Sequence, residues 1–593
     1  MSGALVTLTF NKPVTVPAAA INAPNCVIGA PFSGMTPAVW YVRITPVDDI
    51  IDLTNRVTLD LTLITDDSGD ESEGASMSAN YTVNTLHDEE TMIDIDSIPA
   101  NLRVPGTYIE IDGSLAGLGG ANQPSILLVG NKFVGTTAIA GTIALVSGLF
   151  DVGIKCGAGS MLYNMAKRLY AINPLADIYI LPFVDNASGA FATATIECTT
   201  APTADGTLSL YLGGQLISVS LTADMDTDAV ATAIHTAVNA YDTSYHTLPA
   251  RSTLLDSTST LTARHRGTCG NQIDLRINAR PGDQTPTGLV LDITGFSGGT
   301  LIPTAITDVN IQAIFDADTS GFLQAPVKYI ALGHNDAVTM QAFHLESQRR
   351  YLPPIQSGFR IFTANNASYS DQISYGQAKN GEHISCLGLN DNGSTAWEAA
   401  AIYAAVAGPA LYNNPVKSLE GKVLKGLTVF SNFQFTQQNS LLFAGISTVQ
   451  KSRDGTVTIS RAISMYQHRT DDTPDDAFLD INTAEAMERI RYTQRLGAIQ
   501  RFRGKVAAGA NDQYRAGLPI VNVDTIRAYL LALYKNTLLA ELGWVRDYEW
   551  YKDQLIIEQD PQNPSRFNYI DAPVINSPFY ILAGKAQFRK LPE

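Results

Sequence analysis

Two short apolar runs decide the fold class of this sequence: Ser125-Ile-Leu-Leu-Val-Gly130 and Asp177-Ile-Tyr-Ile-Leu-Pro182. Each run is almost continuously apolar and ends at a glycine or a proline, a pattern typical of a strand that is buried on both faces. Residues 161–170 lie between the runs and place apolar side chains at helical spacing. A strand, a helix and a second buried strand in succession indicate a sheet with parallel strands.

The same alternation of strands and helices resumes after a long interruption. Further strands are predicted over residues 327–332, 359–363 and 383–389, with helical segments between them. The sequence therefore predicts a discontinuous α/β core made of residues 114–189 and 303–484.

The interruption, residues 190–302, has an α+β pattern of its own. Its clearest feature is a hairpin signal, in which Gly213-Gly214 separates the alternating segments 207–212 and 215–221. The pattern also contains a predicted helix over 227–241 and predicted strands over 261–264, 273–278 and 289–294. We expect an inserted domain at the periphery of the molecule.

The first 92 residues are predicted to form an extra, β-rich domain. Apolar runs at residues 5–10 and 39–44, and alternation over 57–63, have the period of half-buried strands. Three cations face twelve carboxylates in this stretch, so we expect it at a solvated outer surface. A calcium loop is an alternative to a plain exposed loop for residues 66–78, although the ligand spacing of known calcium loops is absent.

The C-terminal assembly domain, residues 485–577, lies where the charge of the chain changes sign. From residue 485 to the end, fifteen cations outnumber twelve carboxylates, whereas the whole chain has a net charge of −17. One run contains six cations and no carboxylate: Arg489, Arg491, Arg495, Arg501, Arg503 and Lys505. This run is either a solvated helix face or a surface that meets an acidic partner.

Two further elements are predicted in the same domain. Asp524 is expected to cap a helix that ends at Gly543 and has a continuous apolar face. The residues of that face are Ile526, Leu530, Leu533, Tyr534 and Leu538. A strand is predicted over residues 555–558.

Two strand-like segments flank these domains. In the first, residues 93–113, Pro99 and Pro105 disfavour helix, and the apolar residues are Val104, Tyr108, Ile109 and Ile111. In the second, residues 578–593, one face of a strand predicted over 579–589 carries Tyr580, Leu582, Ala586 and Phe588. Each strand either closes a sheet of its own subunit or adds to the sheet of a neighbouring subunit through main-chain hydrogen bonds.

The sequence contains no pattern typical of an enzyme or a metal site. The five cysteines are far apart, so we expect reduced thiols, and the eight histidines are scattered without a zinc or nucleophile motif. His383, three residues before Cys386 in an apolar strand, is expected in the core. The net charge argues against wrapping nucleic acid, and the apolar runs 138–150 and 396–412 are too short or too interrupted to span a bilayer.

A series of motifs follows a fixed order across residues 93–593. It begins with Val104-Pro-Gly-Thr-Tyr108-Ile-Glu110-Ile and Gln123-Pro124-Ser-Ile-Leu-Leu-Val-Gly130-Asn131. It continues in the insert with Gly206-Thr-Leu-Ser-Leu-Tyr-Leu-Gly-Gly, and it closes with Asp553-Gln-Leu-Ile-Ile-Glu558 and Ala583-Gly-Lys-Ala-Gln-Phe-Arg589. In this order the motifs resemble those of the sheath proteins of Mu-like contractile phage tails. Residues 1–92 depart from the resemblance, because similar proteins begin near Ile98-Pro99.

The resemblance implies a helical cylinder of subunits around a rigid tail tube, which contracts when the baseplate is triggered. It implies other copies, the tail tube protein, and baseplate and tail terminator proteins as partners, with assembly in the host cytoplasm and a final place in the virion tail. It favours terminal strands that link neighbouring subunits. If the run Arg489–Lys505 meets an acidic partner rather than solvent, that partner is expected to be the tube. No cofactor, nucleic-acid binding or membrane insertion is expected.

Two other classes of function compete with a sheath. The acidic, β-rich start and the insert also suit a phage decoration protein or adhesin, and the α/β core also suits an enzyme on a nucleotide-binding fold. Only a sheath is expected to form tubes or rings that are visible by electron microscopy.

Overall fold

The computed structural model describes residues 4–34, 36, 38–47, 51–66, 68–70, 74–79, 81–84, 124–509 and 518–588. These residues belong to two compact units, one within residues 1–119 and the other within residues 120–593. The predicted linking arm, residues 93–113, lies outside the described residues. The mixed α/β fold class predicted from the sequence is confirmed.

The first unit is built from short strands. They are β1 (Ala4–Thr9), β2 (Val14–Thr15), β3 (Ile21–Asn22), β4 (Cys26–Ile28), β5 (Phe32–Ser33), β6 (Val39–Pro46), β7 (Ile51–Asn55), β8 (Thr58–Asp60), β9 (Thr65–Asp66), β10 (Ala75–Met77) and β11 (Tyr81–Asn84). β6 is central, pairs with β1, β4 and β5, and contributes Val42 and Ile44 to a small core.

The prediction of a strand over residues 57–63 is wrong in its second half. The strand ends at Asp60, and Leu61–Leu63 form a 3-10 turn. The Asp60 carboxylate accepts hydrogen bonds from the backbone N–H of Thr62 at 3.0 Å and from its hydroxyl at 2.7 Å. Such local side-chain bonds compete with the ladder of a sheet.

The second unit contains the remaining elements. Its strands are β12 (Ser125–Asn131), β13 (Ala144–Val146), β14 (Ile178–Phe183), β15 (Phe191–Thr200), β16 (Gly206–Leu212), β17 (Gln215–Leu221), β18 (Ala250–Leu255), β19 (Thr258–Arg266), β20 (Leu275–Ile277), β21 (Val290–Ser297), β22 (Lys328–Leu332), β23 (Arg360–Asn365), β24 (Ile384–Gly388), β25 (Ile446–Lys451), β26 (Val457–Arg461), β27 (Val506–Ala507), β28 (Ile520–Val521), β29 (Val545–Arg546), β30 (Ile556–Gln559), β31 (Phe567–Ile570) and β32 (Val574–Ile575). Its helices are α1 (Leu149–Cys156), α2 (Met161–Ile172), α3 (Thr227–Tyr245), α4 (Asp308–Asp316), α5 (Ala337–Tyr351), α6 (Tyr369–Gln377), α7 (Ala396–Asn413), α8 (Phe435–Phe443), α9 (Ile481–Phe502), α10 (Val523–Ala532) and α11 (Tyr548–Gln554).

An eight-stranded sheet organises this unit. Its order is β13-β14-β12-β22-β23-β24-β25-β26, with parallel pairs from β14 to β25 and an antiparallel strand at each edge. β12 and β14 are buried along their whole length, as their continuous apolar runs predict.

The insert packs against the α/β core at α2, α7 and the loops that follow core strands. It contains the antiparallel sheets β18-β19-β15-β21 and β17-β16-β20, together with α3. Its buried side chains join one apolar cluster with those of the α/β core, and Met161 and Trp397 of the core line a small cavity with Ala263 and Ile273 of the insert. An ion pair of 2.5 Å between Arg276 Nη1 in the insert and Asp391 in the core also connects the insert to the core.

The helix that Asp524 is predicted to cap begins two residues earlier than predicted, at Val523. Asn522 is the N-cap, because its side-chain oxygen accepts the Thr525 N–H at 3.0 Å while the Thr525 hydroxyl accepts the Asn522 N–H at 2.9 Å. Asp524 lies in the first turn, where its charge suits the helix dipole. The helix continues as a π-helix over Leu533–Glu541.

Candidate assembly surfaces

A buried polar network joins the insert to one edge of the core sheet. Asn131 ends β12 and Asp185 follows β14, so both lie at the carboxyl end of parallel strands. The Asp185 carboxylate accepts hydrogen bonds from Asn131 Nδ2 at 2.7 Å and from the backbone N–H of Arg266 at 2.9 Å. His265 Nδ1 lies 2.9 Å from Asp185 Oδ1.

This network has the composition of a catalytic Asp–His pair but not its geometry. His265 Nε2 accepts the backbone N–H of Met161 at 3.0 Å, so the nitrogen that would take a proton from a nucleophile is occupied. Burial opposes ionisation, but hydrogen bonds from His265, the backbone at Arg266 and Asn131 lower the pKa of Asp185. Asp185 is therefore a structural link. Sequence analysis missed it, because a lone aspartate after a buried strand belongs to no motif.

His383 and Cys386 occupy the core positions predicted for them. His383 Nδ1 lies 3.2 Å from Arg360 Nη1, and burial and this cation lower the pKa of the imidazole. Burial raises the pKa of the Cys386 thiol to about 12, so the thiolate needed for nucleophilic chemistry is not formed at neutral pH.

Among the described residues, no group of three or more histidine, cysteine or carboxylate side chains is placed to hold a metal ion. Within the same ranges, no helix is long and apolar enough to cross a membrane. The alternative calcium loop is described only in part: Asp66 pairs with Lys12 and accepts the backbone N–H of Asp70 at 3.0 Å. Asp67 and residues 71–73 lie outside the described residues.

The C-terminal tail, defined here as residues 576–588, leaves the fold without joining a sheet. The sequence predicts a strand here, but the described tail forms no β-ladder with any other described segment. Its apolar side chains face solvent, with Leu582 87% and Phe588 85% exposed. The alternative in which this strand closes a sheet of its own subunit is therefore wrong for the described residues.

Tyr580 differs from its neighbours in the tail because it packs against its own subunit. The Arg461 guanidinium lies 4.6 Å from the centre of the Tyr580 ring, and burial raises the pKa of the phenol. Tyr580 thus fixes the point at which the tail leaves the fold. Leu582, Ala586 and Phe588, predicted on the same face, continue beyond that point in exposed chain.

The two-stranded sheet formed by β30 and β31, called the hairpin sheet, has both edges open. Its antiparallel register runs from Ile556–Ile570 to Gln559–Phe567, and neither strand pairs with a third strand among the described residues. The side chains of Ile556, Tyr569 and Ile570 are exposed. A two-stranded sheet is only marginally stable alone in water, and its edges present unpaired N–H and C=O groups. The hairpin sheet is therefore suited to accept further strands.

The N-terminal linking residues cannot be placed against this sheet. Val104, Tyr108, Ile109 and Ile111 all lie outside the described residues.

Two of the six predicted tube-facing cations are engaged within the subunit. Arg489 lies 4.7 Å from the centre of the Tyr412 ring and donates to the Tyr412 carbonyl at 2.9 Å. Arg491 pairs with Glu488 at 2.8 Å and lies 4.2 Å from the centre of the Tyr351 ring. These contacts anchor the middle of α9.

The other four predicted tube-facing cations are exposed: Arg495, Arg501, Arg503 and Lys505. Leu496 and Ile499 are also exposed on this last part of α9. Exposed arginines beside exposed aliphatic side chains are a composition found in protein interfaces.

A buried ionic network holds the first half of α9 against the core sheet. Arg360, at the start of β23 and only 1% exposed, lies 3.5 Å from Glu485 and 3.8 Å from Glu488. The Tyr329 hydroxyl donates to Glu485 at 3.2 Å. Removing one partner of a buried ion pair typically costs ~3–5 kcal/mol, so this network fixes the direction in which the exposed half projects.

The chain is similar along most of its length to one named relative. It is 28% identical over 499 residues to the Mu-like prophage FluMu tail sheath protein of Haemophilus influenzae, a match that covers 84% of this chain and 99% of that protein. No family model matches the chain. The resemblance identified from the ordered motifs is confirmed by this relative.

Three solved structures are also similar. They are the sheath tail protein of Desulfitobacterium hafniense (TM-score 0.38, 13% identity, 79% of this chain and 100% of that one), the sheath tail protein of Listeria innocua (0.39, 12%, 76% and 95%) and the helical sheath of the anti-feeding prophage in its contracted state (0.35, 13%, 83% and 99%). Because each TM-score is below 0.5, these likenesses alone establish neither a shared fold nor a function.

Proposed function

We propose that this chain is the sheath subunit of a Mu-like contractile phage tail. It polymerises helically around the tail tube and contracts to drive the tube through the host envelope. The observation that carries this proposal is the similarity to the FluMu tail sheath protein over 99% of that protein's length. A match of that extent covers every domain of the relative.

The tail of one copy adds as a strand to the hairpin sheet of a neighbouring copy. Two features support this joint: a tail whose apolar side chains beyond Tyr580 are exposed and which pairs with no other described strand, and a two-stranded sheet with open edges. Main-chain hydrogen bonds supply the attachment, and alternate side chains supply specificity.

The N-terminal linking arm, residues 93–113, takes the other edge of a hairpin sheet. The hairpin sheet has two open edges and each copy has two linking segments, so each edge receives one segment. Val104, Tyr108, Ile109 and Ile111 are its apolar side chains.

The exposed end of α9 meets the tail tube. Exposed ion pairs are individually worth ~0–1 kcal/mol, a weakness that suits a contact which holds before firing and releases during contraction. Arg495, Arg501, Arg503 and Lys505 form the contact, while Arg489 and Arg491 hold the helix in place.

The predicted domains have distinct places in this assembly. Residues 114–189 and 303–484 form the sheath core, residues 485–577 face the tube, and residues 1–92 and 190–302 lie at the outer surface. The partners are other copies, the tube protein, and baseplate and terminator proteins of a virion tail assembled in the host cytoplasm. The protein acts mechanically, without enzymatic activity.

Removing residues 581–593 tests the proposal and leaves Tyr580 in place. We expect a folded monomer with unchanged thermal unfolding that forms no tubes or rings by electron microscopy, whereas the full chain polymerises. A matched control lacks only residues 590–593. Polymerisation of the longer truncation would contradict the joint, and its global unfolding would assign the tail to its own subunit.

A further inference from the structure

A cleft beside α9 collects positive charge that the joint between tail and hairpin sheet does not use, although Arg495 at its mouth is also one of the residues proposed to meet the tube. It has a volume of about 320 Å³ and lies between the segments that precede β22 and β23 and the middle of α9. Three cationic side chains line it, Lys328, Arg491 and Arg495, against one carboxylate, Glu488. The cleft is therefore large enough to admit a side chain of another molecule.

The one carboxylate in this basic cleft is already balanced. Glu488 lies 2.8 Å from Arg491 and 3.8 Å from the buried Arg360. Lys328 and Arg495, by contrast, have no carboxylate within 4.0 Å among the described residues. The uncompensated charge of the cleft therefore belongs to these two side chains.

Lys328 is unusually buried for a cation that forms no ion pair with a described carboxylate. It is only 5% exposed, and its ammonium group, which has three donors, donates to the Ala325 carbonyl at 2.8 Å. Burial lowers the pKa of Lys328 to about 8, although Glu488 and Glu485 favour the charged form. A charge taken out of water without a partner is costly, so an anion in the cleft would compensate for a cost already present in the subunit.

The rim of the basic cleft is also strained. Gln356 has a φ of 48°, a left-handed conformation that few residues other than glycine adopt. Its side-chain oxygen accepts a hydrogen bond from Arg495 Nη1 at 3.2 Å, which holds that guanidinium at the mouth of the cleft. Strained residues of this kind concentrate at ligand clamps.

We propose that the basic cleft binds a carboxylate side chain from a neighbouring copy of this chain. Charge complementarity identifies the occupant: a chain of net charge −17 presents an excess of carboxylates to its neighbours. A carboxylate forms charge-assisted hydrogen bonds with both the ammonium of Lys328 and the guanidinium of Arg495. The inference rests on the proposed polymerisation and adds a second joint, separate from the tail.

Carbodiimide cross-linking tests this contact directly. The reagent joins a carboxylate to a lysine amine in contact with it, and peptide mass spectrometry identifies the two residues. In polymers assembled from a mixture of ¹⁴N- and ¹⁵N-labelled chains, we expect Lys328 linked to an aspartate or glutamate of a differently labelled copy. The unassembled subunit lacks that link, and Lys328→Arg abolishes it in a polymer that still forms.

Two variants measure the contribution of the cleft to assembly. Lys328→Met and Arg495→Gln are each expected to raise the protein concentration needed for polymerisation by about tenfold or more, while Lys328→Arg stays near the wild-type value. Arg495 is exposed, so its variant folds even where the lysine variant does not. Lys552→Met, at an exposed lysine of α11, is the matched control.

Several results would overturn the proposal. They are normal polymers without an inter-subunit link at Lys328, a link only to Glu488 of the same chain, a link to the tube protein, or unchanged polymerisation by Arg495→Gln. Failure of the wild-type chain to polymerise would refute the proposed function as well. Polymers that lack the Lys328 link would refute only this joint.

Discussion

Replacing two apolar side chains of the tail by aspartate is the sharpest test of the proposed joint. Leu582 and Phe588 lie on the same side of an extended strand, because side chains an even number of residues apart share a face. Both are almost fully exposed in the subunit, so Leu582→Asp with Phe588→Asp leaves the fold of the isolated chain unchanged. Any effect therefore belongs to assembly.

The expected magnitude follows from the area that these side chains bury in the joint. Fully burying a leucine or phenylalanine contributes ~1.5–3 kcal/mol, so losing both costs ~3–6 kcal/mol per joint. Ordering the tail opposes its binding by ~1–2 kcal/mol for each residue fixed, which offsets much of the gain from main-chain hydrogen bonds. The joint is thus marginal without its apolar side chains. The concentration needed for polymerisation should rise by roughly two to four orders of magnitude.

Sedimentation and electron microscopy over a concentration series measure this shift. The matched control is Ala583→Asp with Gln587→Asp, which adds the same charge to the opposite face of the strand. Thermal unfolding of the unassembled chains should be equal for wild type, variant and control. Polymerisation of the Leu582→Asp/Phe588→Asp variant at the concentration of its control would refute the assignment of that face to a neighbouring sheet.

Replacing residues 191–301 by a short Gly/Ser linker should destabilise the core, because each core side chain that loses its packing against the insert lowers the free energy of unfolding by ~1.5–3 kcal/mol. A soluble product with wild-type thermal unfolding would disprove this. The triple change Arg495→Glu, Arg501→Glu and Arg503→Glu should reduce the amount of sheath protein bound to purified tail tubes and abolish the salt dependence of that binding. Unchanged binding would show that these residues form a solvated helix face. Asp185→Asn should lower stability at pH 7 by ~1–3 kcal/mol in thermal or denaturant unfolding. Because the pKa of Asp185 is lowered in the fold, the contribution of its carboxylate to the free energy of unfolding is present above the ordinary pKa of 3.8 and is lost on acidification. A difference in stability between wild type and Asp185→Asn that widens below pH 4 would therefore contradict the assignment.

Elements with strong local patterns were predictable from the sequence. The hairpin at Gly213-Gly214 has strands at 206–212 and 215–221, against the predicted 207–212 and 215–221, because alternation and a glycine turn specify both register and ends. Continuous apolar runs also located the buried strands of the core sheet. The N-cap of α10 lies two residues before the predicted Asp524, since a reciprocal cap by Asn522 and Thr525 outweighs a lone aspartate.

The assembly surfaces were only partly predictable, because they depend on contacts between distant parts of the chain. The basic run on α9 was visible in the sequence, but the separation of anchoring from exposed cations depends on Tyr412 and Tyr351, far away along the chain. The burial of Lys328 follows from its place at the start of a central strand, which composition does not reveal. The exposure of the tail was equally hidden, since an apolar strand ordinarily finds a partner in its own fold.

The anchoring of Tyr580 has a mechanical consequence. Because Tyr580 is held by Arg461, the chain beyond it is residues 581–593, whose length would be at most roughly 43 Å if fully extended at ~3.3 Å per residue. In the proposed joint, a tether of fixed length allows neighbouring subunits to rotate and slide while they remain connected, but not to separate. Under the proposed function, contraction is then a rearrangement of subunits about unbroken links.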